Sequence, residues 1–377
     1  MENSDIHLCR ENGDLGELPS ELQYKIAQGF SAPDLARLAQ VSTALRDVAK
    51  GTPGYFSQFY LEETLKEHSD SVVALASDQD TKTLFSGSGD QTIKVWTPDG
   101  SGNYAASQTL SGHGGYVFAL ALDQDTKTLF SGLARDTIKV WTPDGSGNYH
   151  AVETLSGHTD CVRVLAYDQD TKTLFSGSED DTIKVWTPDG SGNYQAVETL
   201  SGHNNYVMAL AYDQDTKTLF SGSDDRTIKV WTPDGSGSYH ASPTQTLSGH
   251  NSYVRALALD QDSKTLFSGS YDPDTAAGII KVWTPDGSGN YTATQTLSGH
   301  NSSVFALALD QDSKTLFSGS YDKTIKVWTP DGSGNYTATQ TLSGHSDWVW
   351  ALAYDKATKT LFSGSYDETI KVWTTRK

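Results

Sequence analysis

At 377 residues and a formal net charge of −19, the chain is long enough for two domains or one large one. Its acidic balance repels phosphate backbones, which argues against nucleic acid and anionic membrane surfaces as partners. Its two cysteines, Cys9 and Cys161, lack metal-type neighbours, so neither a disulfide framework nor a zinc site is expected; that fits a reducing, cytoplasmic or nuclear setting.

The first 17 residues read as a tail. The start, MENSDIHLCR, has no apolar core of a signal peptide, and no stretch approaches the ~18 apolar residues of a membrane span. From Leu18 the period becomes helical. Leu18, Leu22 and Ile26 fall four apart on one face, and Pro19 suits a first turn. Ser31 can cap a second helix carrying Pro33, Asp34, Leu35 and Leu38, and Ser42 a third carrying Leu45 and Val48. Three helices of this size bury little surface alone, so their apolar face calls for a partner. Leu18-Pro19, Glu21-Leu22, Ile26, Asp34-Leu35, Leu38, Val41-Ser42 and Arg46 together resemble an F-box, with Leu45 where a Trp is common. The resemblance covers residues 18–57. It implies docking on the Skp-type adaptor of a cullin–RING ubiquitin ligase, with Leu18, Pro19, Leu22, Ile26 and Leu35 as the docking surface. F-box proteins with propellers usually place a helical linker next; almost none remains here.

The segment from Phe59 to about residue 66 aligns with Tyr104 onward, Thr64-Leu65 matching Thr109-Leu110, and is therefore an outer strand without a repeat of its own. Behind it the chain repeats. TIKVW, or IIKVW once, ends at Trp96, Trp141, Trp186, Trp231, Trp283, Trp328 and Trp373, spaced 45 residues apart except for 52 between Trp231 and Trp283. Each unit reads as four short strands: an apolar run such as YVFALAL, the turn DQDTKT, TLFSGS, TIKVWT, the turn PDGSGN, and a segment such as YTATQTLSG. DQDTKT lacks the spacing and terminal Glu of a calcium loop and reads as a plain hairpin. Four strands at this period predict an all-β, seven-bladed propeller over residues 59–377, after a small three-helix domain. The last repeat has no fourth strand behind it, so the segment near 59–66 is expected to complete blade 7 and close the ring.

The Gly-His, SGSxD and terminal Trp of each unit resemble the WD-repeat family, with Trp-Thr in place of Trp-Asp, as at Trp141-Thr142. The resemblance implies a His–Ser–Asp–Trp hydrogen-bonded set in each blade, in repeat 3 His158, Ser176, Asp180 and Trp186. Seven copies of a strut explain these residues better than seven hydrolase or metal sites, so no catalytic residue, metal or cofactor is expected. Repeat 2 reads SGLARD, which puts Arg135 in the Asp column and Asp136 one place later. Either His113 lacks its Asp or the turn rearranges.

The copies differ in few places. Three residues after each His stand Ser71, Tyr116, Cys161, Tyr206, Tyr253, Ser303 and Trp348. Just past the following Val stand Val73, Phe118, Arg163, Met208, Arg255, Phe305 and Trp350. Between the second and third strands stand Gly89, Ala134, Glu179, Asp224, Tyr271, Tyr321 and Tyr366. These slots fall at one end of the blades, on the rim of the central channel, and their Tyr, Trp, Phe and Arg are types enriched at interfaces. The binding candidates are Arg163, Arg255, Arg226 and Lys323 with Tyr253, Tyr271, Phe305, Tyr321, Trp348 and Trp350. F-box WD-repeat proteins that read phosphorylated degrons are similar in placing arginines at the Arg163 slot. Arg163 and Arg255 could hold one phosphate from two sides. Asp160, Glu179, Asp181 and Asp224 on the same side could neutralise them and leave a groove for an unmodified acidic or aromatic segment, and drift at tolerant turns is a third reading. The expectation is a non-catalytic substrate receptor of a cullin–RING ligase, monomeric within the complex, with the target protein on the propeller rim. The alternative is a propeller scaffold bound to no ligase.

Overall fold

The computed structural model describes residues 58–375, residue 101 excepted. The tail, the helical segment and its candidate docking residues Leu18, Pro19, Leu22, Ile26 and Leu35 lie outside the described residues. The chain divides after Ser57, and Gln58–Lys377 is a unit of its own.

The described residues form twenty-eight strands, β1 to β28 in chain order, in seven four-stranded antiparallel sheets. Blade 3 shows the plan. β10 (Val162–Asp168) is innermost, followed outward by β11 (Thr173–Ser178), β12 (Thr182–Pro188) and β13 (Tyr194–Ser201). The innermost strands neighbour one another in sequence around the ring, and β2 (Val72–Ser77) meets β26 (Val349–Asp355) to close it. Blade 7 takes β1 (Phe59–Leu65) as its outer strand, paired antiparallel with β28 (Ile370–Thr375). The ends of the propeller are thereby locked in one sheet, which removes the open edge a three-stranded blade would present.

The core lies between blades. Trp186 of blade 3 packs on Phe130, Ile138, Val140 and Leu155 of blade 2, and Trp231 of blade 4 on the matching residues of blade 3. The Phe of each LFSG run is fully buried. The Gly in that run is forced by close packing: a Cβ on Gly177 would stand 2.6 Å from Val207 Cγ1 of the next blade and 2.8 Å from Val164 Cγ1 of its own. Blades are tied at the DQDTKT end as well. Lys172 reaches back to Asp123 (3.0 Å) and Asp125 (2.6 Å), and Gln169 donates to Leu122 O at 2.9 Å.

Candidate functional site

The His–Ser–Asp–Trp sets show what the invariant residues do. In blade 3 the Trp186 indole donates to Ser176 Oγ (2.8 Å). An indole N–H only donates, so the serine hydroxyl gives its own proton to His158 Nε2 (2.7 Å), and Nδ1–H donates to Asp180 (2.8 Å). Burial by itself would raise the Asp180 pKa. The bonds from His158 and Thr182 outweigh it and hold the carboxyl well below the usual range. The same set is complete in blades 1, 4, 6 and 7. Ser176 is fully buried with its proton and a lone pair both engaged, which is the condition of a strut rather than a nucleophile.

Two blades depart from the pattern. In blade 2 His113 Nδ1 meets Gln91 O at 3.1 Å and Nε2 has no partner. Asp136 does not come in. The Arg135 side chain passes over Gly114, whose φ of +70° is a conformation that favours glycine. Blade 5 was not anticipated. Asp272 stands in the Asp column, but the segment YDPDTAAG lengthens the hairpin of β19 (Leu266–Asp272) and β20 (Ala277–Pro285). Asp272 now pairs in register with Ala277 and bonds Thr275 at 2.9 Å, leaving buried His250 with Nδ1 unpartnered. The longer spacing between Trp231 and Trp283 was the available signal.

The end of the propeller carrying these turns, here the upper face, opens on a cavity of about 180 Å³. Val73, Phe118, Arg163, Met208, Arg255, Phe305 and Trp350, one from each blade, ring it. The volume suits one side chain of a larger partner and is below the ~300–1,000 Å³ of drug-sized ligand pockets.

The two arginines at this mouth are not open forks. Arg163 Nε donates to Glu179 at 2.5 Å, and its guanidinium carbon sits 3.7 Å from the Phe118 ring centre. Arg255 donates to Asp224 of the preceding blade at 2.8 Å and lies 5.1 Å and 5.9 Å from the Tyr253 and Phe305 rings. Asp224 is buried with Oδ1 unpartnered; burial raises its pKa against the pull of Arg255 and Arg163. Two cations thus meet two carboxylates.

The other candidates are distributed around this centre. Phe305 stacks on Trp350 at 4.4 Å and Tyr321 on Trp348 at 3.9 Å; Tyr366, not among the candidates read from the sequence, contacts both tryptophans at 4.8 and 5.4 Å. This aromatic ledge spans blades 6 and 7. Tyr253 is exposed beside Arg255, and Tyr271 is half-buried in the long hairpin of blade 5. Arg226 is an exposed turn residue that does not line the cavity. Lys323 donates to Ser346 O at 2.8 Å and stands 4.0 Å from Asp347, so it is directed along the rim and not to the arginine pair. Val73 and Met208 complete the ring of the mouth. Asp160, Cys161 and Glu179 bring ligand-type atoms together, but Glu179 is committed to Arg163, and burial pushes the Cys161 thiol up to about 11. No described helix is long and apolar enough to cross a membrane.

Comparison with known proteins agrees with this architecture. The solved WD40 beta propeller domain of Doa1 is similar to the chain at 25% identity and a TM-score of 0.69, over 85% of this chain and 98% of that one. No curated protein sequence matches it. The family model described as WD domain, G-beta repeat matches residues 59–97, 105–142, 150–187, 194–232, 241–284, 291–329 and 336–374, one stretch for each blade. Matched across all seven blades, the chain belongs to the WD-repeat family.

Proposed function

We propose that the protein is a non-catalytic substrate receptor of a cullin–RING ubiquitin ligase, its N-terminal segment docking the Skp-type adaptor and its upper face holding the target protein. A WD40 propeller suggests a protein-interaction scaffold, and one observation supports the upper face as the contact: of the slots that vary among near-identical repeats, the one just past the Val supplies the seven residues that ring the mouth of the channel. Differing side chains on a rigid, repeated frame are the usual construction of a binding surface. The ligase connection is supported by the LPxEL and DLxxLxxVS residues of the N-terminal segment. The pairing of Arg163 and Arg255 with Glu179 and Asp224 favours an unmodified segment over a phosphorylated degron, because a phosphate would have to displace both carboxylates.

A pull-down of the full chain with purified Skp adaptor tests the ligase reading. Capture is expected, and Leu18→Ala with Pro19→Ala should weaken it while leaving the propeller's melting unchanged. Absent capture, or capture indifferent to both changes, leaves the scaffold bound to no ligase as the reading.

A further inference from the structure

The upper face uses one arrangement twice. At Arg163 a guanidinium is held by a ring, Phe118, and a carboxylate, Glu179. At Arg255 the rings are Tyr253 and Phe305 and the carboxylate is Asp224. Both use the attraction of a planar cation to an aromatic face together with a charge-assisted hydrogen bond.

The same parts occur a third time, where blades 7 and 1 meet. The rings are Trp348 and Tyr366, 4.8 Å apart, with Tyr366 37% exposed. The carboxylates are Asp347, its side chain 43% exposed, and Asp70, which accepts from the Tyr116 hydroxyl at 3.3 Å. Asp70, Asp347 and Tyr116 all lie within electrostatic reach of the Tyr366 phenol. Gly89 makes the placement of Asp70 feasible: blades 5 to 7 carry Tyr in that column, and even a Cβ at Gly89 would stand 2.8 Å from the Asp70 carboxyl carbon. Among the described residues no arginine completes this third set. Arg163, which also reaches Tyr366 electrostatically, is committed to Glu179. Lys323 is the neighbouring cation, but it stands 4.0 Å from Asp347 in an exposed pair, and such pairs are held weakly.

We propose that this sector receives an arginine side chain from an unmodified basic segment of the bound protein, its guanidinium set against Trp348 and Tyr366 and bonded by Asp70 and Asp347. The inference rests on the reading of the upper face as the target-binding face and names the chemistry of what binds. The chain's charge of −19 would draw a basic segment toward it at long range.

Selection of a phage-displayed library of random linear peptides on the full chain tests the proposal. Peptides with arginine enriched at one fixed position are expected. The selected peptide, resynthesised with citrulline, which keeps the shape and removes the charge, should bind about tenfold more weakly or worse. The Asp70→Asn/Asp347→Asn variant should show a similar loss, and Lys323→Ala none. Peptides that depend on Trp348 yet show no arginine preference, or that ignore both the citrulline exchange and the carboxylate variant, overturn the inference and leave the upper-face reading intact. If no selected peptide responds to Trp348→Ala or to Arg163→Ala, both fall. Because citrulline is placed in the peptide, the decisive comparison does not depend on any variant folding.

Discussion

Gln108 holds Tyr149 of the next blade by both of its backbone groups: Tyr149 N–H donates to Oε1 at 2.8 Å, and Nε2–H donates to Tyr149 O at 2.7 Å. Gln245, Gln295 and Gln340 clamp Tyr291, Tyr336 and Phe59 in the same way. Three junctions have Glu instead. Glu153 accepts from Tyr194 N–H at 3.0 Å and Glu198 from Tyr239 N–H at 2.7 Å, but a carboxylate has nothing to give the carbonyl. Glu153→Gln and Glu198→Gln should each add a hydrogen bond worth about 1 kcal/mol, and should add to one another because they serve different junctions. Urea unfolding of the double variant checks this; an unchanged or lower midpoint would show that the second bond has no net value.

Blade 2 offers a second stabilising change. His113 keeps one long bond to Gln91 O and an unpartnered Nε2. Arg135→Asp puts a carboxylate in the column that Asp180 fills in blade 3 and vacates the space over Gly114. A gain of about 1 kcal/mol is expected. A loss would show that the glycine pair and Arg135 already form a better-fitted turn than the common one.

Much of this was legible in the sequence, for a definite reason. A 45-residue period fixes blade number, strand order and the end on which each turn falls, so the ring of slots at the channel mouth follows from counting. The closing strand was legible because Thr64-Leu65 repeats a pair whose partner strand was otherwise missing. What stayed hidden depends on geometry between blades. Asp224 and Arg255 lie 31 residues apart in different repeats, and only the packing of blades 4 and 5 brings them to 2.8 Å. Asp272 keeps its column in the sequence yet leaves His250, because added residues extend the hairpin and carry the carboxylate outward with it.

The two incomplete sets should make the propeller acid-sensitive. Burial lowers His113 to about 4 against the pull of Gln91, and burial with Lys281 nearby lowers His250 to about 3. Both folded values lie below the unfolded ~6.5, so the unfolded chain takes up the protons first. Their contribution is whole above pH ~6.5 and is lost as pH falls toward the folded values. From pH 7 to 5 the loss is roughly 2 kcal/mol for each histidine. The Asp180 type, held below its usual range, keeps its contribution until pH falls below ~3.8. His250→Gln can still bond Ser268 and cannot titrate, so it should lose about 2 kcal/mol less between pH 7 and 5 than the parent in urea unfolding. Equal losses would assign the acid sensitivity to other groups.

The ring closure can be measured by truncation. Phe59 meets Phe317 edge-on at 5.0 Å and is clamped by Gln340, and Leu65 is buried at the other end of β1. Removing residues 1–57 should leave propeller melting close to that of the full chain. Removing 1–66 exposes β28 and gives up two buried side chains worth about 2–3 kcal/mol each, so a fall of roughly 10 °C is expected. Similar melting of the two truncations would mean that three strands suffice for blade 7.

The charge state of the mouth decides whether phosphate matters. Arg163 and Arg255 are each charge-paired with a carboxylate, so the wild-type protein should bind phosphorylated and unphosphorylated forms of a peptide about equally. Glu179→Gln with Asp224→Asn removes both carboxylates and leaves the guanidiniums over Phe118, Tyr253 and Phe305. An amide in place of buried Asp224 costs less to desolvate than a carboxylate, but both ion pairs are lost, so the melting of the double variant is measured beside its binding. A charge-assisted bond to each freed fork is worth roughly 1.5–3 kcal/mol, so the variant should gain a preference for the phosphorylated form of about tenfold or more. Titration of matched peptide pairs against both proteins makes the comparison, with Arg163→Ala/Arg255→Ala expected to abolish any preference. If the wild type already prefers phosphate by that margin and loses it in the alanine variant, Glu179 and Asp224 position the arginines for a phosphorylated degron instead of occupying them.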